Sequence, residues 1–298
     1  MKPITKQSDK KTAFTIIELL TVMSIIVILI GLLLPSLNMV KRYAKEVKQR
    51  AQFNSIKSAL EFFSSEGQYD SLPPSNALDG TSANYCGAMK LCEAMVGWDL
   101  IGFHLNSAWR ADGYDSAAGP LSYDPLKTRD DDGDGIPDTL KERKEPYLQT
   151  ENANAYRIGQ LYTAQTAFPT SPFVLCDVYN RARNVTTGKG IGMPILYYKA
   201  NTSNTIHDPC GTLPIIGDDK GYIYNYTDND ELVKLGLPPI GTATDHPLST
   251  PKTFYDITKD NRISITTGWP HNPNSYILIS AGFDGIYGTN DDIFNFEK

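Results

Sequence analysis

The sequence lacks the features that would settle its function quickly. It has four histidines and four cysteines in 298 residues and no CxxC pair, which excludes the zinc-ribbon and thioredoxin spacings. GxSxG, HExxH and P-loop motifs are absent, so nothing points to a motif-bearing hydrolase, zincin or nucleotide-binding loop. His207-Asp208-Pro209-Cys210 does not make a Cys/His pair by adjacency alone, and the chain is read as non-enzymatic. A basic excess is missing too: 28 Lys and Arg stand against 34 Asp and Glu, a net charge of −6, which argues against nucleic acid as a partner. No internal repeat is apparent. With 41% hydrophobic and 21% charged residues, the composition is globular rather than disordered.

The charge that is present is unevenly placed. Lys2, Lys6, Lys10 and Lys11 against Asp9 give the stretch before Phe14 a charge of +3, leaving −9 for the remainder. Between them runs the most apolar segment, residues 14–37, with no charge from Leu19 to Leu34. At about 1.5 Å per residue this segment is roughly 36 Å long as a helix, enough for a bilayer core of about 30 Å. A soluble core helix rarely stays apolar on every face for so long. The run is also too long for a secretory signal, and no A-x-A-like site follows it. The helical pattern continues through Val40, Ala44, Val47 and Ala51, then Phe53, Ile56, Leu60 and Phe63, at spacings of three and four. One helix of about fifty residues is expected, ending before Gly67 and Pro73-Pro74. Lys41, Arg42, Lys45, Lys48 and Arg50 follow the run as densely as lysines precede it, so charge alone does not orient it.

Glu18 is the exception inside the apolar run, and a carboxylate there calls for a partner. Lys10-Lys11-Thr12-Ala13 before Phe14-Thr15-Ile16-Ile17-Glu18-Leu19-Leu20 resembles the N-terminal signature of type IV pilins and type II secretion pseudopilins. The resemblance covers about residues 8–65 and departs in having Ala13 where the family usually has Gly. It implies a leader, residues 1–13, cut by a prepilin peptidase between Ala13 and Phe14, with N-methylation of Phe14. Glu18 then becomes the fifth mature residue and pairs with the Phe14 ammonium of a neighbouring subunit, while Pro35 matches the family's helix-interrupting proline. The implied fold is α+β, with a transmembrane and stem helix over 14–66 packed on a loop-rich antiparallel head over 67–298. The implied role is a structural subunit of a type II secretion pseudopilus. It would sit in membrane lipid at the bacterial inner membrane as a single-pass protein, head in the periplasm or assembled in a surface filament. Its partners would be other pilin-like subunits and the inner-membrane secretion machinery. The competing reading is an uncleaved single-span protein displaying a calcium-dependent adhesive or sensory head.

In the head, residues 88–105 read as a short amphipathic helix and 173–178, 195–199, 221–227 and 276–280 as strands; 200–275 reads as mostly loop. Cys86, Cys92, Cys176 and Cys210 suit two disulfides in an oxidising compartment, a local Cys86–Cys92 bridge being compatible with the spacing; buried free thiols are the alternative. Asp130, Asp132 and Asp134, then Gly135, the Ile136 carbonyl and Asp138, follow the D-x-D-x-D-G spacing of calcium loops, although Lys141 holds the twelfth place. A C-terminal loop over 280–293 resembles that of the major type II secretion pseudopilin, which points to Asp284, Asp291 and Asp292 as carboxylate ligands for calcium. For both loops the alternative is an acidic turn kept solvated by its charges.

Overall fold

The computed structural model describes residues 15–66, 71–114, 122–123, 132–135, 138–163, 168–207, 221–238, 246–263 and 268–297. The chain divides into two compact units, Met1–Ala44 and Lys45–Lys298. The stretch read from sequence as stem therefore belongs with the head from Lys45 onward.

Helix α1 runs Ile16–Glu66, as the spacing predicts, and Pro35 lies inside it. Proline has no N–H to give the Gly31 carbonyl, so one rung of the helical ladder is missing there. Helix α2 is Gly87–Val96, followed by the single-turn helices α3 (Asp138–Lys141), α4 (Thr150–Ala153) and α5 (Ile158–Leu161). Two later helices are α6 (Asp230–Lys234) and α7 (Pro251–Thr258). Strands β1 (Ala155–Arg157) and β2 (Phe173–Leu175) form one antiparallel pair, and β3 (Ala182–Arg183) and β4 (Gly190–Ile191) a second. The central sheet has the order β5-β6-β7 (Leu196–Lys199, Tyr276–Ser280, Ile293–Phe294) and is antiparallel throughout. The class is α+β.

Period-two alternation in the central sheet explains where the core sits. Leu196, Tyr198, Ile277 and Ile279 enter one hydrophobic cluster, with Phe254 and Tyr255 of α7. Ile195, Tyr197, Tyr276 and Leu278 enter a second, with Phe53, Ile56, Leu60 and Phe63 of α1. Both faces of the sheet are covered, so its strands read as continuous apolar runs rather than as alternation. Helix α2 is buried all round: Ala88 and Met89 serve the first cluster, Leu91 and Met95 the second.

Three expectations are corrected. The helix expected over 88–105 stops at Gly97, whose φ of 85° and close approach to the Gly102 backbone leave no room for a Cβ. Residues 221–227 are not a strand: Tyr222 makes one isolated bridge to Ile206, and a 3-10 turn begins at Tyr226. Helix α7 lies in the stretch read as loop, although Thr250-Pro251 is a legible start signal, with proline at the first helical position where its missing N–H costs nothing.

Candidate functional site

The first candidate is the N-terminal part of α1. It is long and apolar enough to cross a membrane, with a mean hydropathy of 2.8 over its most apolar window and none of that window buried. Ile16, Ile17, Leu20, Leu32 and Leu33 all stand more than half exposed. Ala13 and Phe14 lie outside the described residues.

Glu18 has a local role that the sequence reading missed. Its Oε2 accepts from the Thr15 N–H at 2.9 Å and from Thr15 Oγ1 at 2.8 Å, while its own N–H donates to Thr15 Oγ1 at 3.3 Å. This is a reciprocal capping box, which satisfies helix-start donors that have no intrahelical acceptor. The T-x-x-E signal was legible at residues 15–18. The carboxylate the apolar run seemed to leave alone has a partner three residues away.

The second candidate is the first acidic loop. Asp130 and Ile136 lie outside the described residues. Asp132, Asp134 and Asp138 converge on one cation of the chain itself: Lys141 Nζ stands 2.6, 2.9 and 3.3 Å from their carboxylates. Hydrogen bonds that the Lys141 ammonium donates to Asp132 first, then Asp134 and Asp138, hold it well above its ordinary range. Gly133 and Gly135, at φ of 73° and 82°, make the turn, and α3 brings Lys141 back over it. The residue that breaks the calcium pattern at the twelfth place is the one on which three of the loop's carboxylates converge.

The third candidate is the C-terminal loop, which joins β6 to β7. Pairing of Ser280 with Ile293 closes its base, and Gly282, at φ 65°, lies so close to the Asp291 carbonyl that a side chain is excluded. Asp291 Oδ2 accepts from the Asp284 N–H at 2.9 Å, and Asp291 Oδ1 from Thr289 Oγ1 at 2.6 Å. Asp292 Oδ2 instead turns to the Gly288 N–H at 2.7 Å. Asp284 and Asp291 share one neighbourhood. Burial, and then the adjoining Asp291 carboxylate, push the Asp284 carboxyl up. Burial also opposes ionisation of Asp291, but hydrogen bonds from Thr289 and the Asp284 N–H outweigh it and hold that carboxyl low. Among the described residues no group of three or more His, Cys, Asp or Glu side chains is placed to hold a metal ion.

No disulfide joins the described cysteines. Cys86, Cys92 and Cys176 are free and buried, and Cys210 lies outside the described residues. Six residues along a helix separate two Cα atoms by roughly 9 Å, beyond the reach of a bridge. Cys86 and Cys92 accordingly enter different clusters. Burial raises both thiols, Cys86 to about 11.

Two buried carboxyls were not singled out from sequence. Asp177 accepts from the Tyr179 and Met193 N–H groups at 3.1 Å each and from Ser280 Oγ at 2.9 Å, yet burial lifts it to about 7. Glu93, raised by burial, binds Ser107 and, at 2.6 Å, Tyr85 Oη. No sequence signal marks either, because their burial is set by distant elements. The histidines are engaged separately. His104 meets Glu142 at 3.0 Å, His207 the Tyr255 carbonyl at 3.0 Å, and His246 the Tyr287 N–H at 3.1 Å, while His271 stacks on Phe296.

No family model matches the chain, and no curated protein or solved structure matches it.

Proposed function

We propose that the chain is a pilin-like structural subunit of the type II secretion kind, cut between Ala13 and Phe14 and assembled through the N-terminal part of α1. The observation that supports this most is a helix whose first half exposes its apolar side chains on every side while its second half is satisfied within the chain. Such a surface needs lipid first and like helices afterwards, which is what a subunit extracted from a bilayer into a fibre meets. In that role Glu18 neutralises the new ammonium of a neighbour's Phe14. Removing one partner of a buried ion pair costs about 3–5 kcal/mol, so the pair would fix the stagger between subunits.

One observation favours the second reading, an uncleaved single-span anchor carrying an adhesive or sensory head. The Thr15–Glu18 capping box accounts for the carboxylate without any neighbour. The mass of the mature N-terminus, measured on protein from its native membrane, separates the two. A chain beginning at methylated Phe14 supports the subunit. An intact Met1 overturns it. Glu18→Leu should still insert, since a charge leaves the apolar run, but should fail to form filaments.

Calcium belongs to this proposal as a stabiliser of the head, held by Asp284 and Asp291 with Asp292 alongside, and by Asp130, Asp132, Asp134, Ile136 and Asp138. Carboxyl and carbonyl oxygens suit a hard cation by type. In the first loop an ion would have to displace the Lys141 ammonium.

A further inference from the structure

A recess of about 500 Å³ lies where the end of α7 meets the segment leading into β6, and it belongs to none of the candidates above. Its frame is firm. The Asp260 N–H donates to the Trp269 carbonyl at 2.7 Å, the His271 N–H to the Thr258 carbonyl at 2.9 Å, and Lys259 bridges Pro270. The lining combines Trp269, Pro270, Pro273 and Phe296 with Asp260 and Arg262. Trp269 packs partly against the core and also lines the recess. His271, 6% exposed, stacks on Phe296 with ring centres 4.0 Å apart and planes 11° from parallel.

The polar groups are already matched in charge. Arg262 grips Asp260 through Nε at 2.8 Å and Nη2 at 2.7 Å, with its N–H adding a third bond at 3.0 Å. Asp260 is 5% exposed, whereas the Arg262 side chain is 78% exposed. These bonds hold the Asp260 carboxyl well below the usual range, so it stays an ionised acceptor. Among the described residues the wall also carries Glu297, an acid, and His271, whose Nδ1 lies 3.8 Å from Asp260 Oδ2. An anionic ligand would therefore meet repulsion, and a cation would find the best-buried acid already paired. What the pair still offers is directional hydrogen bonding to uncharged hydroxyls beside the apolar side chains of Trp269, Pro270 and Pro273. The lining is divided between apolar rings and polar groups, as a ligand with one apolar face and several hydroxyls requires.

We infer that this recess binds a neutral pyranose unit of a glycan, with the C–H face of the sugar on the Trp269 indole and its hydroxyls on the Asp260–Arg262 pair. An indole face buries apolar ring carbons at little entropic cost. The bidentate pair presents donor and acceptor edges at fixed spacing to neighbouring hydroxyls. A surface protein with such a recess can grip a polysaccharide whether or not it also assembles, so the inference does not rest on the pilin-like reading.

The test uses the full chain in a detergent without a sugar headgroup. Methyl glycosides of glucose, galactose, mannose and N-acetylglucosamine are offered at 1–50 mM, with saturation-transfer NMR on the sugar and indole fluorescence as readouts. At least one should bind saturably, in the millimolar range expected of a single unit in an open site. Arg262→Gln and Trp269→Ala should each weaken it at least tenfold. Trp269 also contacts the core and Asp260 is buried, so circular dichroism matching that of the natural chain is required of each variant to exclude simple misfolding. Absence of transfer to all four sugars overturns the inference. So does transfer that survives both substitutions. A proline-rich peptide that saturates the recess when no sugar does would overturn it in favour of a peptide groove.

Discussion

The two stretches of α1 differ in where their partners come from. Residues 49–63 find theirs inside the chain. Phe53, Ile56, Leu60 and Phe63 are buried, Gln49 Oε1 accepts from the Val178 N–H at 3.1 Å, and Gln52 Nε2 reaches the Cys176 carbonyl at 2.9 Å. Residues 16–40 leave their apolar side chains exposed. A single helix thus carries a packed segment and a segment whose environment must be supplied from outside. The same contrast recurs on a smaller scale in the acidic loops. One draws three carboxylates onto the chain's own Lys141, while the other brings Asp284 and Asp291 together with no ammonium paired to either among the described residues. The helix is continuous, but its composition is not: the exposed stretch has no charge from Leu19 to Leu34, whereas charged residues recur from Lys41 onward beside the apolar stripe that packs on the head.

The strongest way to break this comparison is to cut apolar volume on each side of it. Phe63→Ala should destabilise the head by about 3–5 kcal/mol, because Phe63 is buried against Phe103 and Tyr147. Leu29→Ala should leave the head's melting temperature unchanged in the same detergent. Equal losses from the two would mean that residues 16–40 are packed within the chain after all.

The second test reads the segment on which α1 docks. Asp177, between the Cys176 and Val178 groups that bind Gln52 and Gln49, is pushed up to about 7 by burial. The folded chain then keeps a proton that the unfolded chain releases near 3.8. Stability contributed by this group is present at low pH and is lost as pH rises from about 4 to about 7, by at most a few kcal/mol. Melting temperature should therefore fall between pH 5 and 7.5 more steeply in the natural chain than in Asp177→Asn. Parallel curves would mean that Asp177 is ionised in the folded state.

The smallest expected effect concerns the loop that Lys141 partly offsets. Lys141→Gln should turn it into one that needs an ion. Calcium at a few millimolar, added after chelation, should then stabilise the variant by roughly 1–2 kcal/mol more than the natural chain. Differential scanning calorimetry reads this directly. An identical calcium response in both chains would show that Lys141 does not compete for the loop.

What was legible in the sequence divides along the same line. The bounds of α1 follow from local periodicity, and β6 occupies residues 276–280 as its apolar run predicts. The end of α2 was missed because Gly97 is required by the approach of Gly102, a tertiary fact. Residues 221–227 have strand composition, but among the described residues they make one isolated bridge, Tyr222 to Ile206; tertiary context overrode propensity there. The start of α7 and the Thr15–Glu18 box are different cases, since both carry local signals that could have been read. At the acidic loops the spacing of the aspartates was visible. That Lys141 folds back onto three of them depends on a single turn of helix and could not be counted from spacing alone.

Helix α2 has no outward face: all ten of its residues are buried, and it gives side chains to both hydrophobic clusters. Its first free N–H groups are met from afar, the Ala88 N–H by Asn229 Oδ1 at 2.9 Å. A party wall of this kind cannot be stripped from one room without opening the other. Loss of the cluster under α1 would leave Leu91 and Met95 in water, and the same displacement would pull Ala88 and Met89 from the opposite side. The two cores are thereby bound into one cooperative folding unit, and a slow excursion that exposes either should expose both.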